Sequence, residues 1–227
     1  AALRLTRPVI IGERINPTGK PKLKAALRAG DLAYAQQEAV AQCEAGAHAL
    51  DVNAGLPDID EKDMLPRLME AVQAVCDLPL QLDTADAQAL ENALRRYVGK
   101  PIINSVSGKA QSLETVLPLA ARYGGAVVCL LLDENGIPET AEGRLAIARR
   151  ILDAAAAQGI DKSELLFDAL TLTVSTDEKA ALVTLETLRR LRDELHVKTV
   201  LGVSNVSFGL PARGQLTAAF VAMAIES

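Results

Sequence analysis

Seven short apolar runs, each followed by a segment with helical features, constrain the fold of this chain more than any other feature. Most of these runs are continuously apolar rather than alternating, which is typical of strands covered on both faces. Strand and helix therefore alternate along the sequence, and this order predicts βαβ units and a parallel sheet. The predicted strands are 9–14, 49–54, 80–84, 102–106, 126–133, 165–170 and 199–205.

Three of the intervening segments carry clear helix boundaries. One is predicted to begin at Asp31 as its N-cap and to end at Gly46, and another to run from Asp86 to Gly99. A third has Thr176 as the predicted cap, acidic residues in its first turn, and arginines near its end. That charge distribution is favourable for the helix dipole.

The number of strand–helix repeats predicts an α/β fold of the (β/α)8 TIM barrel class rather than a shorter doubly wound sheet. Such a barrel has about 250 residues and eight strands, whereas this chain has 227 residues and seven predicted strands. Its last residues, "LTAAFVAMAIES", fall inside the predicted seventh helix. We therefore expect the last strand and helix of the barrel to be missing from this chain. No segment resembles a linker, so residues 1–227 are predicted to form a single domain.

Composition argues against several classes of protein. A net charge of −5 argues against a nucleic-acid-binding surface, and no apolar run approaches the roughly 20 residues of a membrane span. The N-terminal segment has no signal-peptide core, so a cytoplasmic location is predicted. Cys43, Cys76 and Cys129 are widely spaced and odd in number, which favours reduced thiols and gives no metal-ligand motif.

Polar side chains recur where the predicted strands end. They are Glu13, Asp51, Asn53, Asp83, Asn104, Ser105, Asp133, Asp168 and Asn205. In a barrel the carboxyl ends of the strands converge on one mouth, where ligands bind. Acids and amides with little positive charge suit a neutral, flat heterocycle that bears several N–H groups.

Local structural roles compete with this interpretation. Asp and Asn also cap helices and form turns, and each of these residues precedes a loop. Asp133, in "DENGIP", has mainly the features of a turn residue, and Glu13 could pair with Arg14. The repetition on nearly every strand favours a ligand site.

Common catalytic and nucleotide-binding motifs are not found. "GERINPTGK" has the wrong glycine spacing for a phosphate loop, and Pro21 stands where Ser or Thr is needed. There is neither a Gly-x-Ser-x-Gly elbow nor a GxGxxG after a strand, which argues against serine acyl transfer and Rossmann-type NAD binding.

Six ordered motifs resemble one known family over nearly the whole chain. They are "IIGERINPTGK", "ALDVNAGLPDIDE", "LQLDTAD", "KPIINSVSGK", "DENGIPETAEGRLAIA" and "TVLGVSNVSFGLP". The sequence resembles the folate-binding domain of cobalamin-dependent methionine synthase and the related methyltetrahydrofolate:corrinoid methyltransferases. The resemblance implies a pterin-binding barrel that transfers the N5 methyl group of 5-methyltetrahydrofolate to cob(I)alamin.

The resemblance also implies roles for individual residues. Asp83, Asn104 and Asp168 match the residues that hold the pterin ring, and Asn205 matches a mobile asparagine that acts in catalysis. Further matches to the pterin site, or neighbours of matched residues, are Asn16, Asp51, Asn53, Glu13, Ser107, Lys109 and Ser204. Ser107 or Lys109 would position the amide or meet the folate tail. Ala85 and Ala169 depart from the family pattern without removing an expected ring contact.

The same resemblance implies cofactors and partners. The chain lacks the Asp-x-His-x-x-Gly corrinoid signature and any zinc-thiolate cluster. Cobalamin would therefore be carried by another domain or protein, this chain would bind no metal, and other methionine synthase modules would be its partners. Two alternatives stay open: a dihydropteroate synthase-like enzyme, whose Gly-rich phosphate motif is not found here, and a folate-binding module without activity of its own.

Overall fold

The computed structural model describes residue 5 and residues 7–227 of the chain. The prediction on the N-terminal segment rests partly on residues 1–4 and 6, which lie outside the described residues. Two compact units divide the chain: one holds residues up to Ser105 and Arg122–Ala126, and the other holds Val106–Ala121 and Val127–Ser227. The single domain over 1–227 stays a prediction.

Strands and helices alternate along the described chain. The strands are β1 (Ile11–Ile15), β2 (Ala49–Val52), β3 (Leu80–Asp83), β4 (Ile102–Ser107), β5 (Ala126–Leu130), β6 (Leu165–Asp168) and β7 (Lys198–Val200). The helices are α1 (Pro21–Ala29), α2 (Ala33–Glu44), α3 (Glu61–Gln73), α4 (Ala87–Leu94), α5 (Ala110–Tyr123), α6 (Ala141–Ala157), α7 (Ala180–Arg190) and α8 (Arg213–Glu226).

In the first unit, β1 to β4 lie in chain order and each pairs in parallel with the next. All four residues of β2 are buried, as expected for a strand covered on both faces. The register places Asp51 beside Gln81 and Asp83 beside Asn104. The sheet therefore brings polar residues of neighbouring strands together near the strand ends.

In the second unit, β5, β6 and β7 are parallel neighbours. Helix α6 begins after Thr140, whose hydroxyl accepts a hydrogen bond from the Gly143 N–H at 3.1 Å. It packs against α7 and buries Ile147, Ile151 and, unusually for a charged residue, Arg144.

This order of parallel strands and helices confirms the predicted barrel class. Seven strands, and not the eighth of a complete (β/α)8 barrel, lie among the described residues. No helix in this part of the chain combines the length and the apolar character that a membrane crossing requires.

The predicted seventh strand is wrong over most of its length. The structure forms β7 only as far as Val200, and Val203–Ser207 is a 3-10 turn in which Val206 and Ser207 are buried. Those residues pack in the turn rather than in the sheet, and the Arg213 side chain donates to the Ser204 carbonyl at 3.1 Å.

Of the predicted helix boundaries, the start at Asp86 is confirmed, because its carboxylate accepts from the Gln88 and Ala89 N–H groups at 2.8 and 3.0 Å. That helix ends at Leu94, before Gly99. The prediction for Thr176 is wrong: α7 begins at Ala180, and the Thr176 hydroxyl donates to the Thr173 carbonyl.

The cysteines also differ from the prediction of three reduced thiols. The structure joins Cys43 and Cys76 in a disulfide, because the C-terminal ends of the neighbouring helices α2 and α3 bring residues 33 positions apart into contact. Cys129 is free and buried on β5, and burial raises the pKa of its thiol.

Candidate functional site

Asp83, the last residue of β3, lies at the centre of a polar cluster in the first unit. Its Oδ2 accepts hydrogen bonds from the Asn53 amide at 2.9 Å and the Asn16 amide at 3.3 Å. The amide oxygens of these asparagines are held by the Gly55 and Thr18 N–H groups. The loops after β1 and β2 therefore fix two amides in the orientation that donates to Asp83.

Asp51 lies in the same cluster and is almost fully buried, at 2% exposure. Its Oδ1 accepts from the Gln81 amide at 2.7 Å, whereas Asp51 Oδ2 and Gln81 Oε1 are buried without a hydrogen-bond partner. Burial and the negative charge of Asp83 raise the pKa of Asp51 to about 7, although the Gln81 hydrogen bond acts in the opposite direction. Asp51 therefore titrates near neutral pH rather than in the acid range.

Asp83 itself and one further carboxyl group of this region, that of Glu61, also have raised pKa values. Burial also raises the pKa of Asp83, and the hydrogen bond from Asn53 offsets part of that effect. Glu61 opens α3, its Oε1 is buried without a partner, and burial raises its pKa. Glu61 did not figure in the sequence prediction, because an acid in the first turn of a helix is already explained by the helix dipole.

Two predicted site residues of this unit lie at the edge of the cluster. Asn104 is half-buried beside Asp83 in the β3–β4 register, and its carbonyl accepts from the Thr84 N–H at 3.1 Å. Its peptide bond to Ser105 is cis. Glu13 is exposed on β1, and the pairing suggested for Arg14 is instead made with Glu38, at 3.2 Å.

In the second unit, Asp168 ends β6 with a different surrounding. Its Oδ1 accepts from the Leu170 N–H at 2.8 Å. Burial raises the pKa of Asp168 to about 6, against the opposing effects of that hydrogen bond and of the Arg144 charge. A carboxylate with this surrounding is mainly ionised at neutral pH.

Arg144 is a second residue that the sequence interpretation missed. It is 1% exposed, and its guanidinium donates to backbone carbonyls of the two loops that follow β5 and β6. Its only sequence signal is its place within "DENGIPETAEGRLAIA", one of the six family motifs. An arginine on an amphipathic helix is usually explained as solvent-exposed.

The other candidates of the second unit lie in loops. Ser107 ends β4, where its hydroxyl accepts from the N–H of the exposed Lys109 at 3.4 Å. Ser204 and Asn205 are exposed in the 3-10 turn, not at the end of a strand. Because α8 begins at Arg213 after Ala212, Asn205 does not cap it.

Asp133 has the turn role expected of it. Its carboxylate accepts from the Asn135 N–H at 2.8 Å, and its backbone bridges to Gly136. Among the described residues, no three His, Cys, Asp or Glu side chains are grouped so that they could hold a metal ion.

The chain thus combines a parallel sheet of the barrel class with acids and amides at the ends of its strands. A family model described as "Pterin binding enzyme" matches residues 12–227, so the chain belongs to the pterin binding enzyme family.

Two curated relatives make the comparison more specific. The methylcorrinoid:tetrahydrofolate methyltransferase of Eubacterium limosum is 30% identical over 222 residues, which cover 96% of this chain and 81% of the relative. The methionine synthase of Mycobacterium tuberculosis is 33% identical over 220 residues, which cover 92% of this chain and 18% of that protein. The chain thus spans less than a fifth of the methionine synthase.

Solved structures show the same fold. The dihydropteroate synthase of Xanthomonas albilineans in complex with 7,8-dihydropteroate has a TM-score of 0.73 and 22% identity, over 99% of this chain and 86% of that one. A Yersinia pestis dihydropteroate synthase has a TM-score of 0.71 and 20% identity, over 98% and 84%. At this identity the likeness concerns the fold alone.

Proposed function

We propose that this chain binds 5-methyltetrahydrofolate and transfers its N5 methyl group to cob(I)alamin, giving tetrahydrofolate and methylcobalamin. The observation that carries the proposal is the oriented carboxylate of Asp83, held by two amides at a strand end, in a chain of the pterin binding enzyme family. The relative from Eubacterium limosum, similar over nearly the whole chain, supports the choice of reaction.

The proposed pterin contacts are Asp83, Asn104 and Asp168. The aminopyrimidinone edge of a pterin offers N–H donors, which carboxylates accept, whereas an amide can both donate and accept. Asn16 and Asn53 fix the direction in which Asp83 accepts.

The reaction breaks the N5–methyl bond and leaves its electron pair on N5. An amine leaves poorly unless N5 first gains positive charge, so hydrogen bonding that supports a proton there speeds the step. We assign this role to the Asn205 amide, which its exposed turn leaves accessible. Cob(I)alamin, the nucleophile, would be held by a corrinoid-binding domain or protein, as in a module of methionine synthesis.

Dihydropteroate synthesis is the second candidate, and the likeness of the folds is the observation that favours it. The sequence argues against it, because "NAGLPDID" after the second strand is not a Gly-rich phosphate motif. A third outcome is a module that binds folate and passes it on without chemistry.

One anaerobic incubation separates these functions. The chain is mixed with 5-methyltetrahydrofolate and chemically reduced cobalamin, and the products are resolved by chromatography. We expect methylcobalamin and tetrahydrofolate in equal amounts, well above the reaction without protein. Folate binding without transfer would mean that the chain is a passive module. In a parallel reaction with 4-aminobenzoic acid and the diphosphate ester of 6-hydroxymethyl-7,8-dihydropterin, formation of 7,8-dihydropteroate with release of diphosphate would support the second candidate.

A further inference from the structure

The guanidinium of Arg144 connects two loops of the second unit. Its Nε donates to the Pro138 carbonyl at 3.0 Å, in the loop that follows β5. Its Nη1 donates to the Ala169 carbonyl at 2.5 Å and the Leu170 carbonyl at 3.2 Å, in the loop that follows β6. A planar fork with donors in fixed directions can bond several carbonyls at once, which the single ammonium of a lysine cannot do.

The hydrogen bonds from Arg144 hold the backbone of Leu170, whose N–H donates to Asp168. Leu170 has a φ of 58°, a left-handed conformation that is uncommon for a leucine and must be held by its surroundings. In this conformation its N–H donates to Asp168 Oδ1 at 2.8 Å while its carbonyl accepts from Arg144. One residue thus joins the arginine to the carboxylate.

The positive charge of Arg144 favours the ionised form of Asp168, as the hydrogen bond from Leu170 does. Arg144 is buried and makes none of its hydrogen bonds to a carboxylate; they go to the three carbonyls and, at 3.4 Å, to the Thr184 hydroxyl. The positive charge of Arg144 acts on Asp168 and opposes the rise in the pKa of that carboxyl that burial causes. A buried arginine is costly unless its donors are satisfied and its charge is used.

We propose that Arg144 is a positioning residue for Asp168: it fixes the loop whose Leu170 N–H donates to the carboxylate, and it supplies a buried positive charge to the surroundings of that carboxylate. The inference rests on the proposed function for its purpose, since an ionised Asp168 accepts two N–H donors of a pterin and a protonated one does not. Arg144 itself need not touch the ligand.

The test follows the ionisation of Asp168 by 13C NMR of labelled aspartate carboxyls in the protein without folate, with Asp168→Asn identifying the resonance. Loss of an opposite charge raises the pKa of a carboxyl, so in Arg144→Gln the midpoint should move up by about 1 pH unit. Arg149→Gln, an exposed arginine of the same helix, is the matched control and should leave the midpoint in place. An unmoved midpoint in Arg144→Gln overturns the proposal.

A second variant keeps the proposal testable if Arg144→Gln does not fold. Arg144→Lys retains the charge but loses the fork, so the Leu170 amide should exchange its hydrogen markedly faster than in wild type. Unchanged protection of that amide would contradict the positioning role. Folate titrations across pH complete the design: if wild type binds no folate, the proposed function fails, while the NMR midpoints still decide the role of Arg144.

Discussion

In the first unit, the carboxyl groups on β2 and β3 are surrounded by amides, whereas in the second unit the carboxyl group on β6 has a buried arginine behind it. Asp51 has a pKa of about 7, and the charges acting on it are those of Asp83 and Glu13, both acidic. Asp168 has a pKa of about 6, because the hydrogen bond from Leu170 and then the charge of Arg144 oppose the rise that burial causes.

The difference teaches how a parallel sheet can hold acids at its strand ends. Amides orient a carboxylate but do not neutralise it, so burial and then the charge of Asp83 together raise the pKa of the nearby Asp51. A buried cation lets a single acid stay charged, provided that the other donors of the cation are bonded elsewhere.

The largest expected effect comes from Asp51→Asn, which removes the titration of the uncompensated acid. The folded pKa of about 7 lies above the ordinary 3.8, so the folded state keeps a proton that the unfolded state releases. The resulting stabilisation is fully present below about pH 4 and is lost as the pH rises to about 7. Relative to the variant, wild type should lose on the order of 2–4 kcal/mol of unfolding free energy over that range.

Urea denaturation at several pH values measures this slope. Asp63→Asn is the matched control, because it removes an exposed carboxylate that pairs with Arg67 instead of a buried one. If the curves of Asp51→Asn and wild type run parallel from pH 4 to 7, Asp51 is ionised in the folded protein and the comparison of the two units fails.

Asn205→Ala tests an uncharged residue of the second unit and should have the next largest effect. A contact made mainly in the transition state lowers turnover more than ground-state binding. Methyl transfer should therefore slow by about 10- to 100-fold, a few-fold more than folate affinity falls. Stopped-flow transfer and a melting curve are measured together, with the exposed Gln215→Ala of α8 as control. Reduced thermal stability with an unchanged rate per folded molecule would leave Asn205 a purely structural role.

The smallest effect is expected for an acid that serves only the fold. Asp86 caps α4 through two N–H groups, so Asp86→Ala should cost about 1 kcal/mol of stability and leave folate affinity as it was. Asp86→Asn, an equally good cap, should restore the stability. A loss of folate affinity in both variants would mean that Asp86 takes part in ligand binding as well as in capping.

The positions of the acids could be predicted because they follow from the strands. β2, β3 and β6 are apolar runs that end at or beside their polar residues, and a parallel sheet collects such ends at one edge. The partners of these acids could not be predicted, because they depend on register. The pairing of Asp51 with Gln81 arises only from the β2–β3 alignment.

Other features depend on tertiary packing that a linear pattern does not contain. Val203 belongs to the predicted seventh strand, yet it lies in a 3-10 turn. Arg144 lies in a segment with ordinary helical periodicity. It becomes a buried hydrogen-bond donor only because loops pack against α6. The disulfide of Cys43 depends on the packing of α2 against α3.

Calorimetric titration of 5-methyltetrahydrofolate into wild type, Asp83→Ala and Asp168→Ala tests the central claim most directly. Each replacement leaves ligand N–H groups without an acceptor, which costs about 1–3 kcal/mol. We therefore predict affinities roughly 5- to 150-fold weaker than that of wild type in both variants, with Asp86→Ala as the folded control. Wild-type affinity in both variants would contradict the account, because the strand-end carboxylates of neither unit would then contact the pterin.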